Sequence, residues 1–404
     1  MTGQVVVTGI SVAAPNGLGA ADWWPATCGG KNGIARITHF DPSAYPARLA
    51  GQVPGFQAEQ YLSSRLLPQT DRVTRLSLVV ADWALADADV TPANLPDFDM
   101  GVITASSAGG FEFGQGELRN LWSRGSQYVS AYQSFAWFYA VNSGQISIRH
   151  GLKGPSGVVV SEGAGGLDAV AQARRQIRKG TALIVTGGVD ASICPWGWAA
   201  QLSTGKLSTS DEPTRAYLPF DRDARGYVPG EGGALLITEE ARTARARGAR
   251  IYGEIAGYGA TMDPRPGSGR PPGLRAAIAL ALADAGMEPG GIDVVFADGA
   301  ADPVADRTEA EAIGAVFGDR SVPVTVPKTM TGRLYSGAAS LDLAAAFFTI
   351  RDGVIPPTMH IDPCRDYALD LVIGQPRRAR VRAALVLARG SGGFNSAMVV
   401  RAAD

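Results

Sequence analysis

Cysteine and histidine are scarce in this chain: three of each among 404 residues. Cys28, Cys194 and Cys364 lie far apart in sequence and form neither a disulfide framework nor a metal-ligand pair, so they read as reduced, buried thiols and no metal site is expected. An excess of either charge is also missing. Lys plus Arg number 37 against 38 Asp plus Glu, a net charge of −1, which removes the electrostatic case for nucleic acid or an anionic membrane as partner. No apolar run is long enough to cross a bilayer. The opening Met1-Thr2-Gly3-Gln4-Val5 has neither the basic segment nor the apolar core of a signal peptide, so a cytoplasmic location is expected. Glycine is plentiful at 51, but it is scattered without a short period, which excludes collagen-like and low-complexity chains.

What is present is core. Hydrophobic residues make up 46% of the chain, enough for two medium domains or one large two-lobed one. The central stretch is Gly157-Val158-Val159-Val160-Ser161-Glu162-Gly163-Ala164-Gly165-Gly166. A β-branched strand runs into a turn of tiny residues, and a helix follows with Val170, Ala173 and Ile177 on one side and Arg174, Arg175 and Arg178 on the other. Such a join is where α/β enzymes mount a nucleophile, because the helix N-terminus stabilises an anion. Here the apex is Gly163, which has no side chain to attack with.

Strand and helix patterns alternate on both sides of this stretch. Strands are expected at 5–10, 100–105 and 182–188, with helices at 71–86 and 111–121, the latter weakened by Gly114 and Gly116. From about residue 249 a similar order returns: strands at 251–257, 292–297 and 322–325, helices at 274–285, 305–317 and 340–350, and a closing hairpin around Gly390-Ser391-Gly392-Gly393. The expected fold is therefore α/β with two topologically similar halves, 1–248 and 249–404. Gly230-Glu231-Gly232-Gly233 lacks the Gly-Lys-Ser/Thr ending and the following helix of a phosphate cradle. Phe135, Trp137, Phe138 and Tyr139 put four aromatics in five positions, as core or as a subunit interface.

At Leu66-Leu67-Pro68-Gln69-Thr70-Asp71, Ser134-Phe135-Ala136-Trp137-Phe138-Tyr139-Ala140-Val141-Asn142, Pro219-Phe220-Asp221, Gly226-Tyr227-Val228-Pro229-Gly230-Glu231-Gly232-Gly233 and Val326-Pro327-Lys328-Thr329 with Thr331-Gly332-Arg333-Leu334-Tyr335-Ser336-Gly337, the chain resembles the β-ketoacyl synthase family of the thiolase superfamily. Within it the resemblance is to the chain length factors, the ketosynthase β subunits of type II aromatic polyketide synthases. The likeness covers essentially the whole chain. It implies a thiolase fold in five α-β-α-β-α layers, no cofactor, and a heterodimer with a ketosynthase α subunit that is served by an acyl carrier protein bearing malonyl or polyketide chains.

An active ketosynthase has a cysteine at the position of Gly163 and histidines at those of Asp298 and Arg333; the accompanying lysine and glutamate correspond to Lys328 and Glu309. Decarboxylative condensation needs a thiolate to hold the acyl chain and neutral imidazoles to donate toward the thioester oxygen. Gly163 cannot hold an acyl group, Asp298 opposes a developing enolate, and Arg333 cannot exchange a proton at working pH. No catalytic residue is therefore expected, and Asp298, Lys328 and Arg333 are expected to satisfy one another as a buried charge cluster. Many chain length factors carry glutamine where this chain has Gly163, so a priming role tied to that amide is not expected either. The rival reading is a ketosynthase-like acyltransferase or malonyl decarboxylase using Ser161 as substitute nucleophile.

The resemblance further implies that Val158, Val159 and Val160 belong to a strand that pairs across the dimer; the density of Phe135, Trp137, Phe138 and Tyr139 makes them expected partner contacts as well. Phe111, Gly114 and Leu118 correspond to the family's tunnel gate and stand at i, i+3 and i+7 on one helix face. A bulky residue followed by Gly and Leu suggests that space is kept there, and hence a decaketide or longer product rather than an octaketide.

Overall fold

A computed structural model describes residues 3–265 and 267–403. Its centre is a sheet of twelve strands: β1 (Val5–Ala14), β2 (Gly17–Leu18), β3 (Met100–Ala105), β4 (Ser156–Val159), β5 (Leu183–Asp190), β6 (Gly232–Glu240), β7 (Gly253–Met262), β8 (Val294–Phe296), β9 (Pro323–Thr325), β10 (Asp370–Leu371), β11 (Ala383–Gly390) and β12 (Phe394–Arg401). The order across it is β10-β9-β8-β11-β12-β7-β1-β6-β5-β3-β4, with β2 folded back on β1. Each half uses the same plan. Leaving aside the short β2 and β10, the first strand is antiparallel to the fifth, the fifth antiparallel to the fourth, the fourth parallel to the second, and the second parallel to the third. The halves join where β1 meets β7 through Val6–Glu254 and Val7–Gly253.

The main helices that layer this sheet are α1 (Arg72–Asp87), α2 (Phe111–Arg124), α3 (Val141–His150), α4 (Gly165–Arg178), α5 (Leu274–Ala285), α6 (Pro303–Phe317) and α7 (Ser336–Asp352). The equivalent helices α4 and α7 lie against each other in the middle, covered on opposite sides by β3, β5 and β6 and by β11 and β12. Helices α1 and α3 cover the outer face of the first half; α5 and α6 cover that of the second. The α-β-α-β-α arrangement follows from burial. The middle layer gathers Val170, Ile177, Leu341, Phe347 and Phe348, whereas Leu76 and Val80 of α1, and Ile278 of α5, fill the outer cores.

The middle position corrects one sequence expectation. Arg174 is not on a solvent face: it is 4% exposed and is held by Asp284 and the Ala256 carbonyl. A helix packed on both faces leaves its polar residues no water, so an arginine there needs internal acceptors. Helix α7 likewise starts four residues before the expected 340, at Ser336, and it is buried along nearly its whole length. Among the described residues no helix is long and apolar enough to cross a membrane, and no group of three or more His, Cys, Asp or Glu side chains could hold a metal ion.

Candidate functional site

The strand–turn–helix join keeps the shape of a nucleophile mount. Strand β4 ends at Val159, Glu162 takes a left-handed φ of 49° that favours glycine, and α4 starts at Gly165. Gly163 at the apex is buried. A Cβ built on it would stand 2.4 Å from the Arg389 carbonyl oxygen and 3.3 Å from Nη2 of Arg333. The position therefore lacks both a nucleophile and the room for one.

Arg333 and Asp298 fill the space beside it. They form a two-point ion pair, Nη1 to Oδ2 at 2.8 Å and Nη2 to Oδ1 at 3.0 Å, with exposures of 8% and 3%. Main-chain bonds from and to Arg389 complete it: its N–H donates to Asp298 Oδ1 (3.1 Å) and its carbonyl accepts from Arg333 Nη2 (3.1 Å). Burial works against the charged form of Asp298, but the Arg333 guanidinium together with the Lys328 and Arg389 charges more than offsets it and holds the carboxyl below the usual carboxylate range. Burial likewise opposes the charge on Arg333, and Asp298 together with Tyr217 and Glu162 reverses that, so the guanidinium is held charged even more firmly than usual. A locked pair of this kind neither donates nor accepts a proton near neutral pH.

Lys328 departs from the expected three-way cluster. Its ammonium is bound by Asp342 on α7 and by the Ala297 carbonyl (3.0 Å), an ion pair separate from Asp298–Arg333. Burial raises the Asp342 carboxyl to about 6 despite Lys328. Glu309 is fully buried and forms no ion pair among the described residues; its carboxylate accepts from the N–H groups of Asp298 (2.6 Å) and Gly299 (2.9 Å). Burial, then the neighbouring Asp298 charge, raise its pKa. Asp306, one turn earlier on α6, accepts from the N–H groups of Phe220 (2.8 Å) and Ala301 (3.1 Å), two residues held at left-handed φ of 60° and 56°. Helix α6 thus pins the loops around the degenerate site with two carboxylates. A cleft of about 360 Å³ opens above the Asp298–Arg333 pair, walled by Glu162, Lys206, Arg225, Asp263, Asp302 and Arg389, with charges of both signs.

Ser161 has no base to activate it. Its Oγ donates to Asp168 Oδ2 at 2.5 Å, and Asp168 also accepts from the hydroxyls of Tyr258 (2.7 Å) and Ser396. A carboxylate already taking three hydroxyl hydrogens anchors the first turn of α4; it does not draw a proton from a nucleophile. His39 stands beside Glu231 and His150 beside Asp82, and the His360 carbonyl accepts from Arg215.

A different surface gathers the remaining expected residues. Strand β4 is an edge, paired on one side only, and Val160 just beyond it is 47% exposed. Trp137, Phe138 and Tyr139 are 45%, 39% and 38% exposed, with Phe135 half-buried, so this aromatic run is not core of the chain. On α2, Phe111 is half-buried, Gly114 buried and Leu118 exposed. The room beside Gly114 is not open: a Cβ there would meet the Trp196 ring at 3.0 Å and Trp137 Cβ at 3.6 Å. Phe111 lies against the same Trp196, ring centres 4.7 Å apart. The glycine admits an aromatic ring from the helix Pro195–Leu202 and does not preserve a void. Trp196 was beyond sequence reasoning, since nothing in Pro195-Trp196-Gly197 places it over residue 114. Asp342 did leave a signal, as the lone acid inside the apolar run of α7.

Comparison with known proteins gives the family. The N-terminal domain profile of β-ketoacyl synthases matches residues 2–244, and the C-terminal domain profile matches 252–362. The chain belongs to the β-ketoacyl synthase family, as a ketosynthase β subunit, or chain length factor, of the type II aromatic polyketide synthase kind. It is 57% identical over 400 residues to the tetracenomycin polyketide synthase ketoacyl synthase β subunit of Streptomyces glaucescens, covering 98% of each chain. Among solved structures it is similar to the ishigamide ketosynthase/chain length factor, with TM-score 0.90, 28% identity and full coverage of both chains. It is also similar to a chain of a type II polyketide synthase complex in which an acyl carrier protein is bound to its ketosynthase carrying a hexaketide, with TM-score 0.89, 26% identity and full coverage of both chains. Those structures show a ketosynthase with its chain length factor and a ketosynthase with its carrier protein; being a β subunit, this chain implies an α partner.

Proposed function

We propose that this subunit performs no condensation and sets polyketide length by shaping a tunnel beside the nucleophilic thiol of a ketosynthase α partner. The observation that carries the reading is the apex at Gly163. Arg333, Asp298 and the Arg389 carbonyl occupy the place where a nucleophile and its imidazoles would work. The partner meets the free edge of β4 and the exposed aromatics 137–139; apolar, β-branched edges of this kind are buried in subunit interfaces. The carrier protein delivers malonyl units to the α subunit, and the chain grows along Phe111, Gly114 and Leu118, with Trp196 as part of the same wall. The complex works in the cytoplasm, and the subunit divides between residues 248 and 249 into its two halves.

The test is product length. Reconstituted with its α subunit and carrier protein, the heterodimer carrying Gly114→Thr with Leu118→Phe is expected to shorten the polyketide. The threonine side chain drives the Trp196 ring off the helix, and the phenylalanine ring adds bulk one turn on. Unchanged length would remove the gate assignment.

A further inference from the structure

The start of the gate helix is held by a side chain from another part of the chain. Helix α2 begins at Phe111, and its N-cap residue is Gly110, which has no side chain to accept from the first amides. The first four N–H groups of a helix have no helical acceptor, and a capping side chain normally serves one of them. Here the acceptor is Asp71. Its Oδ1 caps α1 by accepting from Val73 N–H at 2.9 Å, and its Oδ2 accepts from Phe113 N–H at 2.7 Å. One carboxylate, 2% exposed, therefore caps two helices that start 39 residues apart.

Gly110 is fixed by the same junction. A Cβ there would stand 2.2 Å from the Ala136 carbonyl oxygen and 2.9 Å from Asp71 Cβ, so no conventional capping residue fits. Its N–H donates to the Trp137 carbonyl at 3.0 Å. The first turn of α2 is thus clamped between Asp71 and the backbone of the exposed aromatic run. Phe111 and Gly114, which meet the Trp196 ring, flank the Phe113 amide.

We propose that Asp71 is a positioning residue for chain length: by capping the gate helix from across the fold, it fixes where Phe111 and Gly114 stand in the tunnel wall. The proposal rests on the reading of that helix face as the gate. An asparagine at 71 has one acceptor oxygen where two amides need one each, so one of the two helix starts loses its cap.

The experiment compares heterodimers carrying Asp71→Asn, Gly110→Ala, or Gly114→Thr with Leu118→Phe, each turned over with the α subunit and malonyl-carrier protein. Asp71→Asn is expected to raise the ratio of off-length to main product about fivefold, the population shift that follows loss of one helix cap, while total polyketide per heterodimer stays within about twofold. Amide exchange in a peptide containing Phe113 should accelerate in the same sample. Gly110→Ala wedges the junction from the helix side and should reproduce the length shift; it carries the test if the Asp71→Asn heterodimer is not recovered. An unchanged length ratio in both junction variants, with altered length in the Gly114 and Leu118 variant, overturns the positioning role and leaves the gate standing. Unchanged length in all three removes the gate itself, and the proposal with it.

Discussion

At the scale of single residues, the degenerate site is a set of charges that stabilise one another. Removing one member of a buried pair leaves the other uncompensated, which costs about 3–5 kcal/mol, whereas replacing both by apolar residues is often close to neutral. Asp298→Asn should therefore lower the denaturant midpoint of the heterodimer sharply. Asp298→Leu with Arg333→Met should recover most of that loss, a non-additivity that denaturant titration of the three proteins would reveal. Installing a glutamine, Gly163→Gln, should gain no malonyl decarboxylation and should destabilise by about 1–3 kcal/mol through overpacking, because the Arg389 carbonyl lies 2.4 Å from the required Cβ. That residues 163, 298 and 333 are glycine, aspartate and arginine, with neither thiol nor imidazole, is plain in the sequence. The Asp298–Arg333 pair was legible too, as part of the expected charge cluster, but the partner of Lys328 was not, because only the fold brings residue 342 beside 328.

At the scale of elements, the proposed partner surface centres on the free edge of β4. An exposed apolar edge strand invites pairing, and a lysine on such an edge blocks it. Val160→Lys should reduce recovery of the α–β complex on co-purification at least about tenfold while leaving the isolated chain's secondary structure intact, since Val160 is 47% exposed in the chain alone. Strand cores were readable from their β-branched runs; β3 spans the expected 100–105. Helix α4 was readable as a helix but not as a buried one. Its arginines pattern like a solvated face, and only the second half of the fold, by supplying Asp284 and the Ala256 carbonyl, makes Arg174 an internal residue. Gly114 shows the same limit: a helical glycine signals closeness without naming what comes close.

At the scale of the whole molecule, the repeated topology was legible as a matching order of strand and helix patterns, and the two halves do share one strand plan. Five layers bury many carboxylates, and their titration sets a pH dependence. Burial raises Asp71 and Asp306 to about 7 and Asp342 to about 6. Between about pH 4 and 7 the folded protein therefore binds more protons at these groups than the unfolded chain, so their contribution favours folding on the acid side and is lost as pH rises through their folded values. Asp298 acts in the opposite sense: its pKa is lowered, so its contribution is present above the ordinary carboxylate range and is lost as pH falls below it. The heterodimer's denaturant midpoint should fall from about pH 5.5 to about pH 8, and Asp306→Asn should flatten that slope.

Shape without chemistry is the central claim, and intact mass spectrometry of both subunits, trapped during turnover on malonyl-carrier protein, tests it most directly. The account predicts acyl or polyketide mass on the α subunit alone, with this chain at its unmodified mass throughout. An acyl adduct on this chain, at Ser161 or anywhere else, would contradict it.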